Sequence, residues 1–389
     1  MSKRLILHIG THKTGTSSLQ SYFSFFREET ERLGLGYPPI PPVFKYKFPN
    51  KQHKFLAREG FKDKNHEIVS EWLHQLKSSE HDNLLSSETF WRIGQQNNSV
   101  SRHKSGSFLT RNKKSIAKLK ELLKDFDVSI HVFLRRQDLL ITSLHKGAVM
   151  RGSKINELNL EEDIPILRYG EILENWTNYF GRENVNIHLY DESKNGNEGI
   201  ALMARKMGLE DVYKELIPKS DISQHTWRFK PAEVEIFREC KQLLKSPKKL
   251  AIFRDDFFGY AVNSDKQNSI KKRINKCIDE CIQIDIINPD WYNKQRERNL
   301  EVLDRFEINH HSNQLIDWFT AETSNVEIAK VVNPAGIKAE AQSIIGNFKK
   351  TMSDGKLKSG IKNNKDFSWE KSYPWIQRCY PNFLSRYIK

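Results

Sequence analysis

Leu5-Ile6-Leu7-His8-Ile9-Gly10-Thr11-His12-Lys13-Thr14-Gly15-Thr16-Ser17-Ser18-Leu19-Gln20 opens on an apolar run, Leu5 to Ile9, that reads as a buried strand. The run breaks at Gly10. After Gly15 the period changes from strand to helix, with Leu19, Tyr22, Phe23 and Phe26 on one face. The loop between carries a Lys, two Gly and several hydroxyls, and it delivers them to a helix N-terminus. Backbone N–H groups without intrahelical partners, the positive end of the helix dipole and an ammonium converge there, which describes a site for phosphate or sulfate.

The spacing separates this loop from a Walker loop, which needs Gly, four residues, then Gly-Lys-Ser/Thr. Gly10 and Gly15 keep that separation, but Thr16 holds the lysine position and Lys13 enters two residues before the second Gly. A Gly/Thr turn with a solvated Lys13 would carry the same residues, so a second site is needed.

That second stretch is Val128-Ser129-Ile130-His131-Val132-Phe133-Leu134-Arg135-Arg136-Gln137-Asp138, followed by Leu139 to Leu144. Val128 to Leu134 is β-branched and aromatic, as a central strand requires. Asp138 can cap a helix running past Met150, with Ser143 about two turns along it. The planar fork of an arginine at a strand end matches a phosphate dianion, and a serine hydroxyl can add a donor. Two adjacent arginines at a buried strand end call for an anion nearby. Between the two stretches lies Asn83-Leu84-Leu85-Ser86-Ser87-Glu88, a short strand with Glu88 at its carboxyl end. In open parallel α/β sheets the ligand crevice lies at such ends, so Glu88 is placed to take a proton from an attacking group.

Taken in order, Gly-Thr-His-Lys-Thr-Gly-Thr-Ser-Ser, then Ser-Ser-Glu, then Leu-Arg-Arg-Gln-Asp with Ser143, the chain resembles the sulfotransferases that use 3′-phosphoadenosine-5′-phosphosulfate (PAPS). It is similar to the bacterial sulfotransferase-domain proteins, relatives of the carbohydrate-modifying enzymes. The resemblance implies an α/β fold, a P-loop-type three-layer sandwich with a central parallel sheet and a helical C-terminal part. It implies that Lys13, Thr14, Gly15, Thr16 and Ser17 hold the 5′-phosphosulfate, and that Arg135 and Ser143 hold the 3′-phosphate. Lys13 and Glu88 are then the catalytic pair, Glu88 by its strand-end position, and His53 is a weaker acceptor-side candidate. PAPS is the co-substrate, released as adenosine 3′,5′-bisphosphate, and no metal is required. The Arg-Lys-Gly loop of the cytosolic small-molecule enzymes has no counterpart, which favours a carbohydrate or lipid-linked glycan acceptor. Two other readings stay open: a P-loop nucleotide kinase or NTPase, and a non-catalytic binder of acidic glycan or nucleic acid.

Composition agrees with a folded protein: 389 residues, 38% apolar, with eight Trp and 22 Phe. No run approaches the ~18 apolar residues of a membrane span, and the immediate entry into a core strand leads us to expect no signal peptide. Cys240, Cys277, Cys281 and Cys379 are too few for a disulfide scaffold. Cys277 and Cys281, one helical turn apart, lack a metal-spaced partner, so buried thiols in the cytoplasm are expected. The net charge of +14 invites acidic partners. It is not interleaved with aromatics and accompanies no zinc-finger or RNP motif, so a solvated basic face is the first reading and nucleic-acid binding the lesser one.

The remaining chain reads as alternating helices and strands. His66 to Ser79 is an amphipathic helix. Gly94 to Asn112 is a polar loop suited to a lid, and Lys113 to Phe126 a helix. Glu161 to Phe180, Ile200 to Met207, Glu233 to Leu244, Asn268 to Asp285 and Asn299 to Phe306 read as helices, and Val185 to Asp191 as a strand. Leu35 to Pro49, dense in proline, reads as an ordered surface loop. The expected organisation is a sulfotransferase domain over 1–325, with a PAPS-binding core in 1–215 and a helical remainder in 216–325. A basic, aromatic extension, 326–389, follows as a linker leading to a segment from Trp369 to Tyr387.

Overall fold

The computed structural model describes residues 2–44, 53–60, 62–95, 105–150, 160, 164–191, 193–194, 196–216, 229–244, 249–250, 253–258, 269–308 and 313–353. The aromatic segment at 369–387, Cys379 and residues 96–104 of the expected lid lie outside them. The chain divides into two compact units: 1–144, 156–225 and 287–326 form one, and 145–155, 226–286 and 327–389 the other.

The first unit is mixed α/β, built on a five-stranded parallel sheet flanked by helices. Its strands are β1 (Lys3–His8), β2 (Leu35–Gly36), β3 (Asp82–Ser86), β4 (Phe126–Leu134) and β5 (Val185–Leu189), in the order β2-β3-β1-β4-β5. Leu5, Ile6 and Leu7 are all fully buried, as are Leu84, Leu85, Ile130 and Val132. Uninterrupted apolar strands of this kind need cover on both faces. On one face Ile6, Leu84 and Phe133 pack with Leu19, Tyr22 and Phe23 of α1 (Thr16–Phe25) and with Ile200 and Met203 from residues 196–206. Alternation along each strand turns Leu5 and Leu7 to the other face. Right-handed crossovers put α5 (Ser105–Leu122) and α7 (Tyr169–Phe180) there, packed against one another.

The helices between these are α2 (Arg27–Arg32), α3 (Lys54–Glu59), α4 (His66–Ser78) and α6 (Gln137–Met150). Those after β5 are α8 (Gly196–Lys206) and α9 (Glu210–Leu216). The sheet starts at its centre. From β1 the chain goes out to the β2 edge, returns to β3 beside β1, and crosses to β4 on the other flank. Connections therefore leave β1 and β4 in opposite directions, and the crevice this opens lies at the strands' carboxyl ends.

The second unit contains α10 (Pro231–Gln242), α11 (Ser269–Cys281), β6 (Ile282–Ile286), β7 (Glu327–Val331) and α14 (Pro334–Ser353). Phe229, Phe237, Phe253, Phe258 and Phe348 form its aromatic core, and Cys240, Cys277 and Cys281 are buried there as free thiols. Burial pushes the Cys277 thiol up to about 12. Between the two strands, α12 (Pro289–Arg305) and α13 (Asn313–Phe319) return to the first unit. The stretch expected as one helical remainder is thus divided between the units.

Several elements differ from the sequence expectation. Residues 105–112 of the expected lid are the first turns of α5, whose buried Phe108 and Asn112 continue the stripe begun by Ile116 and Leu119. Leu35–Gly36 adds a strand at the sheet edge. Pro165 holds a short 3₁₀ turn, Pro165–Leu167, so α7 starts only at Tyr169. Ile282-Gln283-Ile284-Asp285-Ile286 leaves the helix at Cys281 and pairs antiparallel with β7, from Ile282↔Val331 to Ile286↔Glu327. Its period is two, and β-branched residues favour that state. Residues 327–353, expected within a linker, supply β7 and α14.

The face of the sheet against α1 is unusual for its buried histidines: His8, His131 and His188. Asn186 donates to Ser129 Oγ, which is 3.1 Å from His131 Nε2, and His131 Nδ1 is 3.1 Å from His188 Nε2. Burial, with the Arg4 cation second, lowers the His131 pKa to about 4. Burial, with His131 second, lowers that of His8 to about 3. An unfolded histidine protonates near 6.5. Between that value and the depressed native ones the unfolded chain binds more protons, so stability rises with pH. It is complete above about pH 6.5 and is lost on acidification toward 4, by up to about 1.4 kcal/mol per pH unit per histidine. Calorimetric melting at pH 7 and pH 4.5 should show this drop, and His131→Asn should make it smaller.

Candidate active site

The loop after β1 extends the ladder before it turns. Ile9 N–H donates to His131 O at 2.9 Å; Thr11 then donates both its N–H (3.3 Å) and its hydroxyl (2.9 Å) to Phe133 O. The loop is thereby docked on the end of β4, two residues before Arg135. Lys13 (φ 67°) and Gly15 (φ 75°) are both left-handed, which coils the backbone tightly into α1. A non-glycine residue in that region is uncommon, and such strain clusters at functional sites. Gly15 O accepts from Ser18 and Leu19 N–H at 2.9 and 3.1 Å, closing the first turn. Gly15 is the N-cap, no side chain caps the helix, and its first turn holds no acidic residue. An anion is favoured at such an end.

The hydroxyls divide in role. Thr14 Oγ1 donates to Thr11 O at 2.8 Å and lies 3.2 Å from Thr16 Oγ1. Both threonine side chains are buried and shape the loop, so what Thr14 and Thr16 offer a ligand is backbone N–H. Lys13 and Ser17 are exposed.

The paired arginines part company. Arg136 turns inward and forms a bidentate pair with Asp138, Nε to Oδ1 at 2.8 Å and Nη2 to Oδ2 at 2.9 Å. Asp138 also accepts Leu139 N–H (2.8 Å) and the Ser324 hydroxyl (2.6 Å), and Arg136 lies over the Trp318 ring at 5.1 Å. The anion that the two arginines called for is, for Arg136, an internal carboxylate. Asp138 is thus a buried ion-pair partner inside α6 rather than its N-cap. Arg135 stays half-buried at the strand end, with its carbonyl accepting from Tyr169 Oη at 2.6 Å. Ser143, half-buried on α6, stands roughly 9 Å along the axis from the helix start.

Glu88 follows β3 by two residues. Gln20 of α1 donates to its Oε2 at 3.4 Å, and His12 Nδ1 lies 4.0 Å from its Oε1. A residue of the loop after β1 and a residue of the helix it enters therefore both approach the carboxylate. Neither is marked in the sequence by more than its proximity to Lys13. Next to Glu88 in sequence, Thr89 lines a small hollow of about 20 Å³ together with Arg58, Arg92 and Gln95.

His53 is not in this company. It is buried; its Nδ1 accepts Ser86 N–H at 3.0 Å, so the ring proton is on Nε2 and is donated to Pro38 O at 2.9 Å. Burial lowers its pKa to about 4. Both nitrogens are committed, so His53 braces the proline-rich loop against β3 and has no atom left to exchange a proton with an acceptor.

Among the described residues no group of three or more His, Cys, Asp or Glu is arranged to hold a metal ion, and no helix is long and apolar enough to cross a membrane. No family model, curated protein or solved structure matches the chain.

Removing one partner of a buried pair leaves an uncompensated charge, at a cost of about 3–5 kcal/mol. Asp138→Ala should lose that much in urea unfolding, and the double change Arg136→Met/Asp138→Ala distinctly less.

Proposed function

We propose that this protein is a PAPS-dependent sulfotransferase of P-loop type that sulfates a hydroxyl or amine of a carbohydrate. One observation carries the reading: the Lys13 loop and Arg135 leave adjacent parallel strands at the same carboxyl edge, and Thr11 bonds the loop to the strand that Arg135 terminates. One nucleotide with anionic groups at both ends can bridge two such clusters.

In this reading the coiled loop and α1 hold the 5′-phosphosulfate, and Arg135, with Ser143 beyond it, holds the 3′-phosphate. The acceptor approaches from the side of Glu88. Its oxygen or nitrogen attacks sulfur opposite the bridging oxygen while Glu88 takes its proton. The new bond to sulfur forms as the sulfur–oxygen bond to the 5′-phosphate breaks, and adenosine 3′,5′-bisphosphate leaves with the electron pair. Lys13 meets the charge growing on the bridging oxygen and so acts most strongly in the transition state. Holding both reactants in one crevice supplies much of the remaining acceleration. Three buried free thiols fit a chain that works in a reducing cytoplasm.

Binding of adenosine 3′,5′-bisphosphate tests this directly. At about a hundred times its Kd it should stabilise the protein by about 2.7 kcal/mol in thermal melting, and ATP with magnesium should not. Arg135→Ala should weaken the bisphosphate and leave adenosine 5′-monophosphate unaffected. Stabilisation by ATP–magnesium alone would place the chain with kinases or NTPases.

A further inference from the structure

Gln20, Ser86 and His8 form a buried hydrogen-bonded line running from Glu88 to the underside of the anion loop. The Gln20 amide nitrogen lies 3.3 Å from Ser86 O, 3.2 Å from Ser86 Oγ and 3.4 Å from Glu88 Oε2. A carbonyl and a carboxylate accept only, so the NH₂ end of the side chain must face them. Gln20 brings only hydrogens to Ser86 Oγ, so among the described residues His8 Nδ1, 2.8 Å away, is the one acceptor within reach of the Ser86 hydroxyl hydrogen, and pairing that hydrogen makes Ser86 the donor and Nδ1 the acceptor. Burial keeps His8 neutral, with a pKa near 3, so the ring carries one proton. With Nδ1 accepting, that proton sits on Nε2.

The line thus has one direction, and it ends on an N–H donor. That donor is fully buried and has no hydrogen-bond partner among the described residues. It is also aimed. A Cβ built on Gly10 would stand 2.6 Å from His8 Nε2, closer than to any other ring atom. The imidazole tip takes the place of a side chain at the residue where the loop begins, and Gly10 is needed there for that reason. A buried donor without an acceptor is destabilising and calls for an explanation.

We infer that His8 is a further ligand of the anion loop: its Nε2–H donates to an oxygen of the phosphate or sulfuryl group held there. The line through Ser86 and Gln20 fixes the tautomer that can do this and joins that ligand to Glu88. The identity of the anion rests on the sulfotransferase reading; the donor and its direction do not.

Calorimetric titration with adenosine 3′,5′-bisphosphate should find His8→Met roughly tenfold or more weaker, the loss of one hydrogen bond to a charged group. His8→Gln, whose amide can present an N–H at the same tip, should recover most of the affinity. In the ¹⁵N spectrum of the unaltered protein, the His8 Nε2–H resonance should move on saturation with the bisphosphate. Equal affinity in His8→Met together with an unmoved resonance would overturn the inference and leave the sulfotransferase reading standing. If ATP–magnesium binds in place of the bisphosphate and moves the same resonance, the role of His8 holds and the sulfotransferase reading falls. If the unaltered protein binds neither nucleotide, both are wrong.

Discussion

Thr11 gives its N–H and its hydroxyl to a single acceptor, the carbonyl of Phe133 on β4. Those two hydrogen bonds to one oxygen decide where a strained loop sits. The two left-handed residues that follow, Lys13 and Gly15, coil the chain so tightly that without an anchor many arrangements would compete. Once the loop is tied to the last residues of β4, Lys13 and Arg135 each stand two residues beyond a bonded pair, Thr11 and Phe133, although they are far apart in sequence. The same docking sets the direction in which α1 departs, and hence where Gln20 lies relative to β3.

Around this anchor the first unit buries an unusual amount of polar chemistry on one face of its sheet. Three buried histidines, two serines and an asparagine occupy places that an all-parallel sheet ordinarily fills with aliphatic side chains, and Gln20 of α1 reaches in to join them. Buried polar groups specify a unique arrangement when each is satisfied and cost stability when one is not. Here the groups are linked across strands, so β1, β3, β4 and β5 cannot slip in register without breaking several bonds together. The Arg136–Asp138 pair does comparable work at the start of α6, with Ser324 and the Trp318 ring completing its surroundings. An arginine that seemed available for a ligand is consumed by an internal carboxylate.

Much of the fold is legible because its signals are local. The change from a run of apolar residues to a 3.6-residue period across Gly10–Gly15 marks strand, loop and helix, and the same reasoning finds β3, β4 and β5. Where the reading departs from the structure, two local signals compete. Ile282 to Ile286 continues the apolar positions of the helix before it, and only its pairing with residues 327–331 draws it into a strand. Ser105 to Asn112 is polar enough to pass for a loop, and its helical state comes from the packing of Phe108 and Asn112.

For the candidate site, the sequence alone determined the residue types and their order: a lysine-bearing glycine loop entering a helix, a carboxylate after a strand, an arginine after another. Local spacing suffices for that, since each lies within a few residues of its element's end. Only the tertiary structure decided which side chains share a space. It turned Arg136 inward, locked His53 between Ser86 and Pro38, and brought His12 and Gln20 to Glu88. Apart from the Arg136–Asp138 pair itself, these outcomes depend on partners 15 to 186 positions away, such as His53 with Pro38 and Asp138 with Ser324. Hydrogen bonds and ion pairs act over a few ångströms, and a linear pattern does not say which distant groups will come that close.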